Sequence, residues 1–432
     1  MIARFLLNGG GSSAPNLAIF WRLRCMMFFY YVAFFSWLTP LSTYMSKTLG
    51  FDDIIGTAYS MVGVAVIGAG LFVGMVADRY FSTERVFAFL SLGAAVSLFW
   101  LSRIDQSREI FLAVMLLHCV FYTSMLPLTV AISMNALSDP VRQYPAIRVF
   151  GTAGAIVAGL IIGLWPGAAE SRIPMLIGAT TYLFLAPYSL SLPPRRPSRS
   201  TEKLNLIAIF GLDFVRDNKN PIFWVFMIAI MAMVIPKKFY DSFLNNFLHE
   251  MSVRFDIFSL QIEPTAVQTS GLVIEIITIL AIPFFISRIG IKWVMVLGMC
   301  GWIGRFILFS TGSIDGHAVL WMLILGVLLH GVSYDFLFTS GQIWLDNRCD
   351  PQTRGRAQAF YNFMMLGPGA VIGANVAGAI YNMNTNSLGL HDWSIIWLAP
   401  AGVALIAMAL FIALFRDDGR KFVKREMASH QN

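Results

Sequence analysis

The sequence predicts an all-α membrane protein of twelve transmembrane helices, arranged six and six around a cytoplasmic linker, with both termini cytoplasmic. Three observations carry this expectation. Of the 432 residues, 57% are hydrophobic and only 13% charged, against about 25% charged in an ordinary soluble domain; the mean hydropathy is +0.68. Twelve apolar runs are long enough to cross a hydrocarbon core, which takes ~20 residues each. The basic residues fall on alternate connections: 22 of the 31 Lys and Arg lie on the side that holds both ends of the chain, and five on the other. Positive charge collects on the cytoplasmic side, so the net charge of +7 reads as topology and not as nucleic-acid binding.

The runs lie near 19–45, 55–77, 84–102, 109–134, 146–166 and 173–192, then 221–247, 265–287, 291–312, 317–343, 355–381 and 392–415. The first has full spanning length and lacks a cleavable signal pattern, so it is helix 1. The fifth carries Gly151, Ala155, Gly159 and Gly163, and the eleventh Gly369, Gly373 and Ala377. Small residues every four positions let two helix backbones approach closely. Between the sixth and seventh runs lies PPRRPSRSTEK, whose Pro, Ser and Arg mark a polar linker. The expected organisation is therefore a six-helix bundle over 1–192, a linker over 193–220, and a second bundle with a tail over 221–432. A six-plus-six chain suggests parallel repeats with a site near the membrane midplane between them.

Ionisable residues interrupt these runs: Arg148 in the fifth, Lys237, Lys238 and Asp241 in the seventh, Glu275 in the eighth, Arg305 in the ninth and Asp335 in the tenth. Each costs at least ~2.5–3.5 kcal/mol at the centre of a spanning helix on insertion scales. Several in one chain point to a polar pathway and hence to a transporter. Arg148 and Thr152 are four apart and share a helix face. Desolvation disfavours the charged form of an isolated carboxyl, so Glu275 and Asp335 are candidates to take up and release protons. For Glu275 a permanent structural pair with Arg148 or Lys238 is the competing reading. His330 is either an interior hydrogen-bonded histidine or a proton carrier. Arg305 is read as snorkelling towards an interface, and His118 as a satisfied polar residue with no role.

Pro236 is expected to kink or break the seventh helix, beside Lys237, Lys238, Asp241, Asn245 and Asn246. That cluster either lines a cavity or marks the outer membrane boundary. Tyr334, next to Asp335, is a ring able to stack on a planar ligand; Phe150 and Trp37 are weaker candidates. Cys25, Cys119, Cys300 and Cys349 have no ligand spacing, so isolated thiols are expected. No metal site and no cofactor is expected beyond a proton as coupling ion. With no phosphate loop, metal cluster or nucleophile motif, an enzyme is the reading the sequence supports least.

The loop GMVADRYFSTER after the second run resembles the cytoplasmic signature of the major facilitator superfamily through Gly74, Asp78, Arg79 and Arg85, with Phe81 where that signature usually has glycine. Such a loop can hold a gate shut through breakable ion pairs. WLTPLSTYM at 37–45, VADRYFS at 76–82, PAIRVFGTAG at 145–154, NNFLHEM at 245–251, IPFFISRIGIK at 282–292, GVSYD at 331–335 and HDWSIIW at 391–397 resemble the nucleoside:proton symporter family of that superfamily. The resemblance implies two bundles rocking around a central site, and import of nucleosides with protons. It implies substrate contact by Arg148, Thr152, Lys238, Asp241, Glu275, Tyr334 and Asp335, and proton coupling at Glu275 or Asp335, with His330 a further candidate. It also implies a bacterial inner membrane setting, with a nucleoside and the lipid bilayer as partners and a monomer sufficient for the fold. The chain departs from the family at Lys238 and Asp241, where amides are usual, at Leu272, at His330 and at Ala155. A proton symporter for a sugar or an anionic metabolite, and a non-transporting sensor on the same fold, are therefore the competing readings.

Overall fold

The computed structural model describes residues 16–70, 81–194, 210–257, 260–350, 353–387 and 389–417. The chain is an all-α, multi-pass integral membrane protein. Its main helices are α1 (Leu17–Leu49), α2 (Ile55–Ala65), α3 (Thr83–Leu101), α4 (Arg108–Ala136), α5 (Pro140–Gly163) and α6 (Ile173–Ser189). After the linker come α7 (Pro221–Glu250), α8 (Pro264–Ile289), α9 (Ile291–Thr311), α10 (Leu320–Leu328 with His330–Arg348), α11 (Arg354–Met383) and α12 (Trp393–Leu414). Among the described residues nine helices are long and apolar enough to cross a membrane, and ten when α10 counts as one span. The other two predicted spans are represented by α2, which is 11 residues long, and α6, which is 17.

Local chemistry sets the helix ends. Asn16, Ser107, Asn220 and Asp392 each accept backbone N–H bonds at a helix start, satisfying donors that have no intrahelical partner. Proline occupies the first turn of α7 and α8, where its missing N–H costs nothing. The expected break at Pro236 is absent: α7 runs as one 30-residue helix through it. Pro236 is buried within it, where α7 packs along α11 and α12. The marked bend lies in α10 instead, 43° between Leu320–Leu328 and His330–Arg348. One element lies outside the predicted set, an antiparallel hairpin of β1 (Phe255–Ile257) and β2 (Leu260–Ile262).

Within the first half α1 packs on α5 and α6, and α3 on α4 and α6. Within the second, α7 packs on α11 and α12, and α9 on α10 and α12. The halves meet mainly through α2 against α11 and α5 against α8. The α5–α8 seam depends on Gly159 and Gly163 of the expected small-residue stripe. The α2–α11 seam depends on Gly56 and Gly378, which the sequence reading does not single out, and Gly369 and Gly373 face α7 instead. A Cβ on Gly56 would lie 2.6 Å from both the Ala374 carbonyl oxygen and the Gly378 Cα. One on Gly163 would overlap Ala266, and one on Gly159 would overlap the Thr269 hydroxyl. The Glu263 amide donates to the Gly163 carbonyl at 2.8 Å across the same seam. Away from the seams, large apolar side chains such as Phe89, Leu183, Leu280 and Leu410 point outward, as a lipid-facing surface requires.

Candidate functional site

The site is built where α10 departs from α-geometry. A π-turn spans Asp335–Thr339, a local feature frequent at functional positions. Gly331 in the turn before it lets α10 cross α8 closely: a Cβ there would lie 2.8 Å from the Glu275 Cα. Asp335 is 1% exposed. Its Oδ1 accepts from the Thr339 hydroxyl at 3.0 Å, and its Oδ2 has no hydrogen-bond partner among the described residues. A buried carboxylate oxygen left without a donor is costly while the group is charged.

Glu275 is half-buried, and its partner is neither Arg148 nor Lys238. His330 Nε2 lies 3.5 Å from Glu275 Oε2, and Arg305 Nη1 lies 3.3 Å from His330 Nδ1. Arg305 does not snorkel. It is fully buried, donates from Nε to the Gly326 carbonyl at 3.1 Å, and lies 3.7 Å over the Tyr240 ring and 5.1 Å from the Trp302 ring. The His330 ring is stacked between Tyr240 at 5.1 Å and Tyr334 at 5.9 Å.

The predicted cluster on α7 forms a compact charged group. Lys237 Nζ lies 2.5 Å and Lys238 Nζ 3.3 Å from the same Asp241 oxygen, the i,i+4 and i,i+3 contacts that helical spacing allows. Lys237 also sits 5.8 Å from the Tyr334 ring. Asn245 accepts from Thr43 at 2.7 Å and donates to Thr265 at 3.1 Å and Gln268 at 2.9 Å, tying α1 to α7 and α8. Asn246 donates to the Tyr381 hydroxyl, which donates to Asp52.

From the first half, Arg148 stacks 4.6 Å over Tyr31 and has no carboxylate within ion-pair distance among the described residues. Thr152 stands one turn further on. Lys237 of α7 and the His330 ring of α10 both lie against Tyr334, His330 reaches Glu275 of α8, and α8 packs on α5, which carries Arg148. Residues of α5, α7, α8 and α10 thus converge on one space between the halves. Phe150 and Trp37 do not join it: Phe150 packs on Trp21, and Trp37 is buried against His118 and Tyr122. His118 Nδ1 lies 3.1 Å from both Ser97 and the Ala94 carbonyl. Gly74, Asp78 and Arg79 lie outside the described residues, as do 195–209 of the linker; Arg85 is exposed in the first turn of α3. Sequence reasoning passed over Tyr31 and Tyr240, whose only signal was their place in strongly aromatic helices. No group of three or more metal-ligating side chains occurs among the described residues.

Residues 17–420 match the family described as Nucleoside H+ symporter. The chain belongs to that family. Relatives include the nucleoside permease NupG of Escherichia coli (strain K12), 31% identical over 91% of this chain and 95% of that protein. The xanthosine permease of the same organism is 31% identical over 93% and 96%. A crystal structure of the nucleoside transporter NupG superposes with a TM-score of 0.80 at 30% identity, covering 92% of this chain and 99% of that one. A peptide transporter, POT, shares the fold at 14% identity with a TM-score of 0.72. Members of the Nucleoside H+ symporter family are transporters and not enzymes, and the present chain shares their architecture over nearly its whole length.

Proposed function

We propose that the chain imports nucleosides together with protons across a bacterial inner membrane, by alternating access between bundles 1–192 and 221–432. Family membership supplies the reaction class. The single structural observation that carries the mechanism is the buried Asp335, with one oxygen unpartnered, one turn beyond Gly331 where α10 crosses α8 at Glu275. Protonation of Asp335 removes the cost of a desolvated negative charge, so the two protonation states favour different arrangements of α8 and α10. A proton or substrate shifts a conformational equilibrium only through unequal affinity for its states. Arg148 and Thr152 contact the cargo from the first half, and Tyr334 offers a ring for stacking on a planar base. Lys238 and Asp241 line the α7 wall.

Twelve spans with cytoplasmic termini fit the charge distribution, and the end where Gly163 meets Glu263 is then the outer end. The loop with Gly74, Asp78, Arg79 and Arg85 serves as the inner gate in this scheme, and a monomer suffices. A second reading is favoured by one observation. Lys237 and Lys238 share a single carboxylate, so the α7 wall itself carries a local positive charge suited to an anionic metabolite. Uptake of labelled uridine into proteoliposomes, in competition with adenosine, xanthosine, sugars and uridine monophosphate and with or without a protonophore, separates the two. Asp335→Asn is expected to abolish accumulation driven by a pH gradient while binding persists; unchanged proton-driven uptake in that variant refutes the coupling role.

A further inference from the structure

We infer that Arg305 is a positioning residue that fixes the tautomer of His330 and so aims an N–H at Glu275. The inference rests on the reading of Glu275 as a site acid. A guanidinium has only N–H donors and stays charged in proteins. The 3.3 Å contact between Arg305 Nη1 and His330 Nδ1 therefore requires Nδ1 to present its lone pair. A neutral imidazole carries one proton, which must then sit on Nε2, the nitrogen that faces Glu275 Oε2 at 3.5 Å. Protonating Nδ1 as well would set two N–H donors against each other beside a fully buried cation.

Every element packed around the ring agrees with this arrangement. α7 contributes the stacked Tyr240 ring and the charge of Asp241, α8 contributes Glu275, α9 contributes Arg305, and α10 itself adds Tyr334. Arg305 is anchored by the Gly326 carbonyl and packed against the Tyr240 and Trp302 rings, which keeps its guanidinium beside the imidazole. The result is a fixed cation, a neutral bridge and a carboxylate in line, from the interior of the second half towards the space between the halves. Glu275 is thereby oriented as an acceptor, and His330 acts as a neutral bridge and not as a proton carrier.

The test is solid-state NMR of full-length protein labelled with 15N-histidine in proteoliposomes, with His330 assigned from His330→Gln. The expected result is a neutral Nε2–H ring from pH 5 to pH 8; an Nδ1–H ring or a doubly protonated ring overturns the inference. In Arg305→Met the His330 signal is expected to change tautomer or to titrate, and uridine affinity to fall about tenfold, the size of one charge-assisted hydrogen bond. An unchanged His330 signal in that variant overturns the inference. Arg305→Lys, which keeps a charged donor, covers the case in which Arg305→Met fails to fold, and is expected to retain the Nε2–H ring. His330→Gln can accept from Arg305 and donate to Glu275, so it is expected to restore most of the uptake lost in His330→Leu, with the parent's pH profile. A displaced pH profile in His330→Gln counts against the inference. Glu275→Gln separates the two levels: full uptake there removes the reading of Glu275 as a site acid, while the His330 tautomer still reports on Arg305.

Discussion

The seam between α2 and α11 offers a direct way to push the two halves apart without touching the site. In Gly56→Ala the new methyl would lie 2.6 Å from the Ala374 carbonyl oxygen and 2.6 Å from the Gly378 Cα, with the Gly378 nitrogen at 3.0 Å. All three are backbone atoms, so no side chain can rotate out of the way. Comfortable non-bonded separations are about 3.5–4.0 Å, so the helices must part by roughly an ångström locally or the closed arrangement must yield. Overpacking of this kind costs about 1–3 kcal/mol. Each 1.4 kcal/mol is a factor of ten in an equilibrium, so the Gly163–Glu263 end should open about 5- to 150-fold more often. Spin labels at Trp165→Cys and Asp256→Cys, one in each half beside that end, would report this as growth of a longer distance in pulsed EPR. Gly402, with nothing within 4 Å of its built Cβ, is the control position: Gly402→Ala should leave the distances alone. A Gly56→Ala distribution indistinguishable from the parent's would refute the claim that glycine packing holds this end closed.

Two further expectations follow from charges. Burial pushes the Glu263 carboxyl above the usual carboxylate range; Arg254 opposes this and Glu170 adds to it. A carboxyl raised in the packed arrangement holds more protons there than when solvated. The closed Gly163–Glu263 end is therefore favoured at low pH and loses that advantage as pH rises through the raised value; the same label pair should show this, and Glu263→Gln should flatten the dependence. Asp241→Asn leaves Lys237 and Lys238 without their shared carboxylate. Breaking a buried pair costs up to about 3–5 kcal/mol, reduced here by the partial exposure of Asp241, so thermal stability should fall and competition by uridine monophosphate should strengthen. An unaltered competition profile would remove the cluster from the cargo site.

The acids and the α7 cluster were legible because a charge in an apolar run has a known cost and helical spacing fixes which neighbours can meet. Lys237, Lys238 and Asp241 pair as their spacing dictates. Partners distant in sequence were not legible. Nothing local joins Thr43 to Asn245, or Glu275 to His330 and Arg305, and mid-helix Arg305 looks the same in sequence whether it faces lipid, water or a tyrosine ring. Pro236 does not break α7, because propensity is local whereas the packing of α7 along α11 and α12 is not. The bend of α10 fell elsewhere, just before His330, with no proline to announce it.

The burial of Arg305 also bears on how the protein is made. During synthesis α9 emerges from the ribosome ahead of the Gly326 carbonyl and the His330 ring, while Tyr240 and Trp302 are already outside. Until those later groups arrive, α9 carries a centrally placed cation whose insertion penalty is about 2.5–3.5 kcal/mol. The economical route keeps α9 within the translocation machinery until α10 follows, so that the two enter the bilayer as a hairpin. A residue that orients one carboxyl in the finished transporter thereby also sets the smallest unit of the second half that can be released into lipid.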